Sequence, residues 1–141
     1  MLTSLLVHIL VATDADHVVS SVTDALSGPD TSFTICREGR LISDLVAERT
    51  PDLVVLDLQI GSKGGMAVTM DLRLDESSGA LPTVKVLMLL DRQADVHLAR
   101  RSAADAYLVK PFTPLALKKA VRDVLNPPVA ESIEEEVPVA G

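Results

Sequence analysis

Three charged residues stand where apolar runs of the sequence end, and together they could bind a metal ion and accept a phosphoryl group. Asp57 closes the apolar run of residues 53–56, and Asp14 and Lys110 follow similar runs. Two carboxylates suit Mg²⁺, which keeps several waters and needs few protein oxygens. A carboxylate can also act as a nucleophile and form an acyl phosphate. Mg²⁺ and the Lys110 ammonium would then neutralise the charge of the transferring group.

Alternating strands and helices are predicted to position these residues. The four consecutive apolar residues 53–56 are typical of a central parallel strand that is covered on both faces, and Pro51 marks its entry. Asp16 is expected to cap the first helix, and Thr113 the last. The predicted strands cover residues 7–12, 32–36, 53–57, 84–90 and 106–109, and the predicted helices 16–26, 39–48, 66–74, 94–103 and 114–125.

This alternation predicts an α/β fold in which helices cover both sides of a parallel sheet, a (βα)5 three-layer sandwich. The flavodoxin-like strand order 2-1-3-4-5 is the most economical arrangement. In that order the carboxyl ends of strands 1 and 3 are neighbours at the switch point, so Asp14 and Asp57 should converge. Lys110 should reach the same crevice from the end of strand 5.

Length and charge limit the classes of function. The 141 residues predict one domain over 1–126 and an acidic tail over 127–141, whose composition is that of a disordered segment. Without the tail the chain has 16 acidic and 13 basic residues. This near-neutral balance argues against direct nucleic-acid binding. Cys36 is the only cysteine, and neither a basic signal region nor a membrane-length apolar run is present, so we expect a cytoplasmic protein without a membrane association.

Three motifs carry a resemblance to a known family. They are ILVATD at residues 9–14, PDLVVLD at residues 51–57 and ADAYLVKPF at residues 104–112. In this order and at this spacing the chain resembles a response-regulator receiver domain of two-component signalling, over about residues 8–125.

The resemblance implies a set of roles and partners. Asp57 would accept phosphate from a histidine kinase or phosphotransfer protein, and Lys110 would contact the phosphoryl group. Asp14, Asp57 and the backbone carbonyl of Gln59 would bind Mg²⁺. The Lys110-Pro111 peptide would be cis. Such a chain is a signalling module rather than an enzyme, and its own chemistry would be limited to Mg²⁺-dependent self-phosphorylation and dephosphorylation.

The chain also departs from the family pattern. Thr13 stands where receivers usually have the first of two adjacent acids, and Gly61 where they have Pro. The strand 4 position that usually carries a hydroxyl is Leu90 when aligned on the strand, or Met88 when counted back from strand 5. Tyr107 keeps the aromatic switch position without its hydroxyl partner.

Two hypotheses follow from this pattern, and a third is weak. The first is a stand-alone receiver that signals through an unknown output protein, with the face of helix 4, strand 5 and helix 5 as its contact surface or as the surface of a homodimer. The second is a pseudo-receiver that acts as a phosphorylation-independent interaction module. A flavin or nucleotide binder of the same fold is disfavoured, because neither a GxGxxG motif nor a P-loop follows strand 1.

Overall fold

A five-stranded parallel sheet lies at the centre of the computed structural model, which describes residues 6–127. The spatial order is β2-β1-β3-β4-β5, and every neighbouring pair is parallel, so the predicted topology is confirmed. The strands are β1 (Val7–Ala12), β2 (Thr31–Cys36), β3 (Leu53–Asp57), β4 (Lys85–Leu90) and β5 (Ala106–Val109). Residues 128–141 of the predicted tail at 127–141 lie outside the described residues.

Five α-helices cover the two faces of the sheet. They are α1 (Asp16–Leu26), α2 (Ile42–Glu48), α3 (Gly65–Ser78), α4 (Val96–Arg101) and α5 (Pro114–Leu125). Short 3₁₀ turns at Gly39–Leu41 and Gln93–Asp95 lead into α2 and α4. None of the helices described within residues 6–127 is long and apolar enough to cross a membrane.

The apolar residues of each strand alternate between two layers of the core. On one face Val11, Val55 and Leu89 pack with α1 and α5. On the other face Val54 and Leu56 pack with α2 and α3. Residues 53–56 are each fully buried, as expected for a parallel strand with helices on both sides. This central position fixes Asp57, the next residue, at the carboxyl edge of the sheet.

α3 is longer than the sequence predicts. The expected end at residue 74 is wrong, because the polar residues 75–78 continue the helix as far as Gly79. Gly79 has a φ of 83°, the left-handed conformation of a helix C-cap, and its N–H bonds to carbonyls of the last turn. Glu76, inside the added turn, accepts hydrogen bonds from Arg73 and from the Val84 N–H at 3.0 Å. These contacts stabilise the helical conformation of the polar last turn.

The two predicted helix caps have different outcomes. Asp16 is the first residue of α1, with Ala15 at the N-cap, and its carboxylate pairs with Arg37 at 2.6 Å. The predicted Asp16 cap is therefore wrong, because a cross-element ion pair holds that side chain. The Thr113 cap is confirmed, since its hydroxyl accepts the Ala116 N–H at 3.0 Å.

The surroundings of His8 in β1 disfavour its protonation. Its ring nitrogens contact the hydroxyls of Ser32 and Thr34 at 2.8 and 2.9 Å. Burial, followed by the nearby Arg49 charge, lowers the pKa of His8 below its ordinary value of 6.5.

We expect this histidine to make the protein less stable in acid. Below about pH 6.5 the unfolded chain binds a proton at His8 that the folded chain resists, so the free energy of unfolding falls as pH falls. Urea unfolding at a series of pH values between 7.5 and 5.5 measures the slope. The slope should be smaller in His8→Gln and unchanged in the control His97→Gln, which alters an exposed histidine. Equal slopes in all three proteins would contradict this account.

Candidate functional site

Three side chains meet at the carboxyl edge of the sheet, around Asp57. Asp57 is 3% exposed. Its Oδ2 accepts the Thr13 hydroxyl at 2.7 Å, and its Oδ1 accepts the Lys110 ammonium at 3.0 Å. The Gln59 N–H also donates to Oδ1, at 3.1 Å. Thr13, after β1, and Lys110, after β5, thus both bond to the carboxylate at the end of β3.

Asp14 lies beside this cluster and ties the loop after β3 to the end of β1. Its side chain is exposed, and its Oδ2 accepts the Gly61 N–H at 2.9 Å. A Cβ on residue 61 would lie 2.8 Å from that oxygen. Glycine at 61, where receivers usually have Pro, therefore allows the loop backbone to approach the carboxylate closely.

Thr13 contacts Asp57 directly, which the sequence does not indicate. It is fully buried, and its hydroxyl both donates to Asp57 and accepts the Ala15 N–H at 3.2 Å. A neutral hydrogen-bond donor thus occupies the place of a second acid. Asp16 does not replace that acid, because its 88% exposed side chain pairs with Arg37.

Asp91 is a site residue that the sequence analysis missed. Its Oδ1 lies 2.9 Å from the Lys110 Nζ, so Lys110 is shared between Asp91 and Asp57. Burial lowers the pKa of Lys110, but the hydrogen bonds to Asp91 and Asp57 together outweigh burial and leave the pKa above its usual value. Lys110 is therefore a fixed positive charge. The signal in the sequence was an acid directly after a buried strand, the same pattern that marks Asp57.

The structure places Leu90, rather than Met88, at the end of β4. Leu90 pairs in register with Val109, whereas Met88 pairs with Tyr107 further inside the sheet. Leu90 is fully buried and belongs to an apolar cluster, here called the α4 cluster, whose buried members are Leu58, Met88, Leu90, Val96 and Ala99. Tyr107 is half-buried and packs against the same cluster. An alkyl side chain therefore ends β4, and the α4 that follows is six residues long.

Few oxygen atoms near Asp57 could hold a metal ion. The candidates from the sequence are the carboxylates of Asp14 and Asp57 and the backbone carbonyl of Gln59. Asp57 Oδ1 already accepts two donors and Oδ2 accepts one, which leaves few free lone pairs. Within residues 6–127 no group of three or more acidic, histidine or cysteine side chains is placed to hold a metal. This donor set fits only a cation that keeps most of its waters, as Mg²⁺ does.

Comparison with known proteins identifies the family. The family model for the response regulator receiver domain matches residues 9–122, and the chain belongs to that family. The DNA-binding response regulator MtrA of Mycobacterium tuberculosis H37Rv is 34% identical over 115 residues, which cover 82% of this chain and 49% of MtrA. The response regulator MprA of Mycolicibacterium vanbaalenii is 34% identical over 120 residues, which cover 85% of this chain and 51% of MprA. The chain thus spans about half the length of these curated relatives.

Solved structures agree on the fold. The chemotaxis response regulator CheY4 of Vibrio cholerae has a TM-score of 0.75 at 19% identity, covering 85% of this chain and 99% of that one. The BeF3-activated receiver domain of Klebsiella pneumoniae RstA has a TM-score of 0.73 at 25% identity, covering 84% and 98%. The family and the flavodoxin-like fold predicted from the sequence are therefore confirmed.

One prediction about partners is wrong. The near-neutral charge of the chain argued against direct nucleic-acid binding, yet relatives 34% identical to it are named DNA-binding response regulators. The charge argument considers only the residues of this chain, whereas those relatives are about twice as long as the region that it matches. Net charge over one receiver domain therefore does not exclude nucleic acid as a partner in this family.

Proposed function

We propose that this chain is a signalling receiver in which Asp57 accepts a phosphoryl group from a phosphohistidine of a histidine kinase. The observation that carries the proposal is the contact of 3.0 Å between the Lys110 Nζ and Asp57 Oδ1, which joins residues 53 positions apart. A fixed cation beside a nearly buried carboxylate at a strand end suits an acceptor whose product carries more negative charge. We extend the proposal to residues 1–126 as one receiver domain.

The proposed chemistry is a single displacement at phosphorus. A carboxylate oxygen of Asp57 attacks, an O–P bond forms, and the P–N bond of the phosphohistidine breaks. The imidazole of the donor leaves with the electron pair of that bond. Lys110 stays protonated throughout and supplies positive charge to the phosphoryl oxygens, while the Thr13 hydroxyl and the Gln59 N–H orient the carboxylate.

Asp14, Asp57 and the Gln59 carbonyl would hold Mg²⁺. When bound, the ion neutralises charge on the transferring phosphoryl group. Because the neutral Thr13 takes the place of an acid, we propose that the ion binds weakly. The same site would support slow self-phosphorylation from small donors and slow hydrolysis of the acyl phosphate.

A pseudo-receiver is the second candidate function, and two contacts favour it. The Thr13 hydroxyl occupies Asp57 Oδ2, and Asp91 shares Lys110. Both contacts stabilise the site without a phosphoryl group. Under this alternative the domain would bind partners through its fixed surface, whatever the state of Asp57.

Intact mass spectrometry separates the two candidates. The protein is incubated with Mg²⁺ and acetyl phosphate, and with candidate histidine kinases. We expect one added phosphoryl group in the parent, none in Asp57→Asn, and one in the control Asp123→Asn, which alters an exposed carboxylate near the end of α5. An unchanged mass of the parent with every donor would favour the pseudo-receiver.

A further inference from the structure

Asp91 is a second carboxylate on the ammonium that serves Asp57. The Lys110 Nζ lies 2.9 Å from Asp91 Oδ1 and 3.0 Å from Asp57 Oδ1. The two acids differ in burial, since the Asp91 side chain is 41% exposed and that of Asp57 only 4%. Asp91 therefore faces solvent on the outer side of Lys110, and Asp57 lies on the inner side.

The position of Asp91 follows from the end of β4. Leu90, the last strand residue, points into the α4 cluster, and its carbonyl accepts the Lys110 N–H at 2.7 Å. This backbone contact holds the chain after β4 against the chain after β5. Residue 91 is thereby kept next to Lys110 by the sheet itself, and its distance from Asp57 does not depend on a flexible loop.

Asp91 also lies on the wall of a groove of about 450 Å³ that runs between α1 and the segment after β5. Its other lining residues include Val18, Lys110 and Phe112. A small molecule that approaches Lys110 through this groove meets the Asp91 carboxylate. Most phosphodonors are anions, so the carboxylate repels them as they approach.

Phosphorylation makes this arrangement less favourable. Asp57 carries one negative charge as a carboxylate, and the acyl phosphate carries up to two. The Lys110 ammonium is shared with Asp91, and Asp91 adds a negative charge at the same place. Like charges this close disfavour the product unless one of them is moved or neutralised.

We propose that Asp91 is a positioning residue that retains Lys110 and opposes negative charge on Asp57, so that it weakens phosphoryl binding and disfavours small dianionic donors. This inference rests on the proposed function of Asp57. A neutral residue at position 91 should make the site a better acceptor. A donor that brings less negative charge, or a phosphohistidine presented by a protein surface, should be less affected by Asp91 than acetyl phosphate is.

The test uses beryllofluoride, which mimics the phosphoryl group without a chemical step. Its affinity is measured in the presence of Mg²⁺ by amide chemical shifts of the full chain. We expect Asp91→Asn to bind it about tenfold more tightly than the parent, because asparagine can still accept from Lys110 but carries no charge. The control Asp123→Asn removes a distant charge and should match the parent. High salt should narrow the gap between Asp91→Asn and the parent.

A second measurement compares phosphodonors of different charge. Acetyl phosphate is largely a dianion at neutral pH, whereas phosphoramidate is largely a monoanion. The parent should prefer phosphoramidate in its phosphorylation rate, and Asp91→Asn should reduce that preference by raising the acetyl phosphate rate. If Asp91 only held Lys110 in place, Asp91→Asn would instead lower the phosphorylation rate with both donors by the same factor.

The outcomes separate this inference from the proposed function. Beryllofluoride binding by the parent, with Asp91→Asn equal or weaker, would overturn the role of Asp91 and leave Asp57 as the acceptor. Binding by none of the three proteins, together with no added phosphate, would overturn the proposed function and this inference with it. Asp91→Ala repeats the charge removal without the hydrogen bond, so tighter binding by Asn but not by Ala would show that Asp91 also holds Lys110 in place.

Discussion

Replacing Thr13 with Asp is expected to tighten Mg²⁺ binding by about tenfold, since the number of charged ligands sets the affinity of such sites. The side chain at position 13 already reaches Asp57, because the Thr13 hydroxyl lies 2.7 Å from Asp57 Oδ2. A carboxylate at the same place would add one negative charge and an acceptor for metal-bound water. Isothermal titration with Mg²⁺ measures the change, and tenfold corresponds to about 1.4 kcal/mol.

Two variants show whether charge is the cause. Thr13→Asn has the shape of the Asp variant without its charge, so it should bind Mg²⁺ no better than the parent. Asp14→Ala should abolish binding, because it leaves Asp57 as the only carboxylate of the proposed site. If Thr13→Asp binds the ion no better than the parent, our account of why this site is weak is wrong.

Stability provides a second readout of the same substitution. Thr13 is fully buried, so Thr13→Asp places a second carboxylate against nearly buried Asp57. Without a cation the two charges repel, and the variant should melt below the parent. Mg²⁺ binds only the folded form, so the melting temperature should rise again with the logarithm of the Mg²⁺ concentration once the site is occupied. The parent, whose Thr13 donates a hydrogen bond instead, should respond little.

Much of the fold could be predicted because buried strands and helix faces are recognisable as apolar patterns in the sequence. The four apolar residues 53–56 are typical of a strand with both faces covered, and the five-fold alternation of strand and helix leaves few topologies. Thr113 before Pro114 marked the start of α5, which begins at Pro114. The end of α3 and the role of Asp16 were predicted wrongly, because contacts with distant residues decided both. Periodicity in the sequence contains no information about such partners.

The candidate site, too, was predicted only in part. Residues at strand ends were found, because parallel strands deliver their last residues to one edge of the sheet. The contacts of Thr13 and Asp91 were not found, since a hydroxyl on a carboxylate and a carboxylate on Lys110 depend on side-chain geometry. Asp91 follows a buried strand as Asp57 does, and that shared pattern was the available signal.

Leu90 leaves the site without a hydroxyl at the end of β4, and this has a consequence for signalling. In the receiver pattern that the sequence resembles, a hydroxyl at the end of strand 4 would follow the phosphoryl group, and the aromatic residue at the position of Tyr107 would follow the hydroxyl. Leu90 cannot donate a hydrogen bond, and it belongs to the α4 cluster, against which Tyr107 packs. We therefore expect phosphorylation to change α4, β5 and α5 little, and Tyr107 to keep one rotamer that is set by packing.

Leu90→Thr should restore the missing link. We expect larger amide chemical shift changes in α4, β5 and α5 on addition of beryllofluoride than in the parent, because the new hydroxyl gains a charged acceptor only when the mimic is bound. The substitution also removes buried methyl groups from a fully buried position. It should therefore lower the free energy of unfolding by about 2 kcal/mol, and the shift experiment should be run well below the melting temperature.

Leu90→Val is the matched control, since valine has nearly the shape of threonine and lacks its hydroxyl. Both variants lose similar packing in the α4 cluster. If beryllofluoride shifts the amides of Leu90→Val more than those of the parent as well, the cause is loosened packing rather than the hydroxyl. The response of the parent shows whether coupling needs a hydroxyl at position 90 at all. If beryllofluoride shifts α4, β5 and α5 in the parent as strongly as in Leu90→Thr, coupling does not need a hydroxyl at position 90. The shared ammonium of Lys110, which touches Asp57 on one side and Asp91 on the other, is then the first route to test.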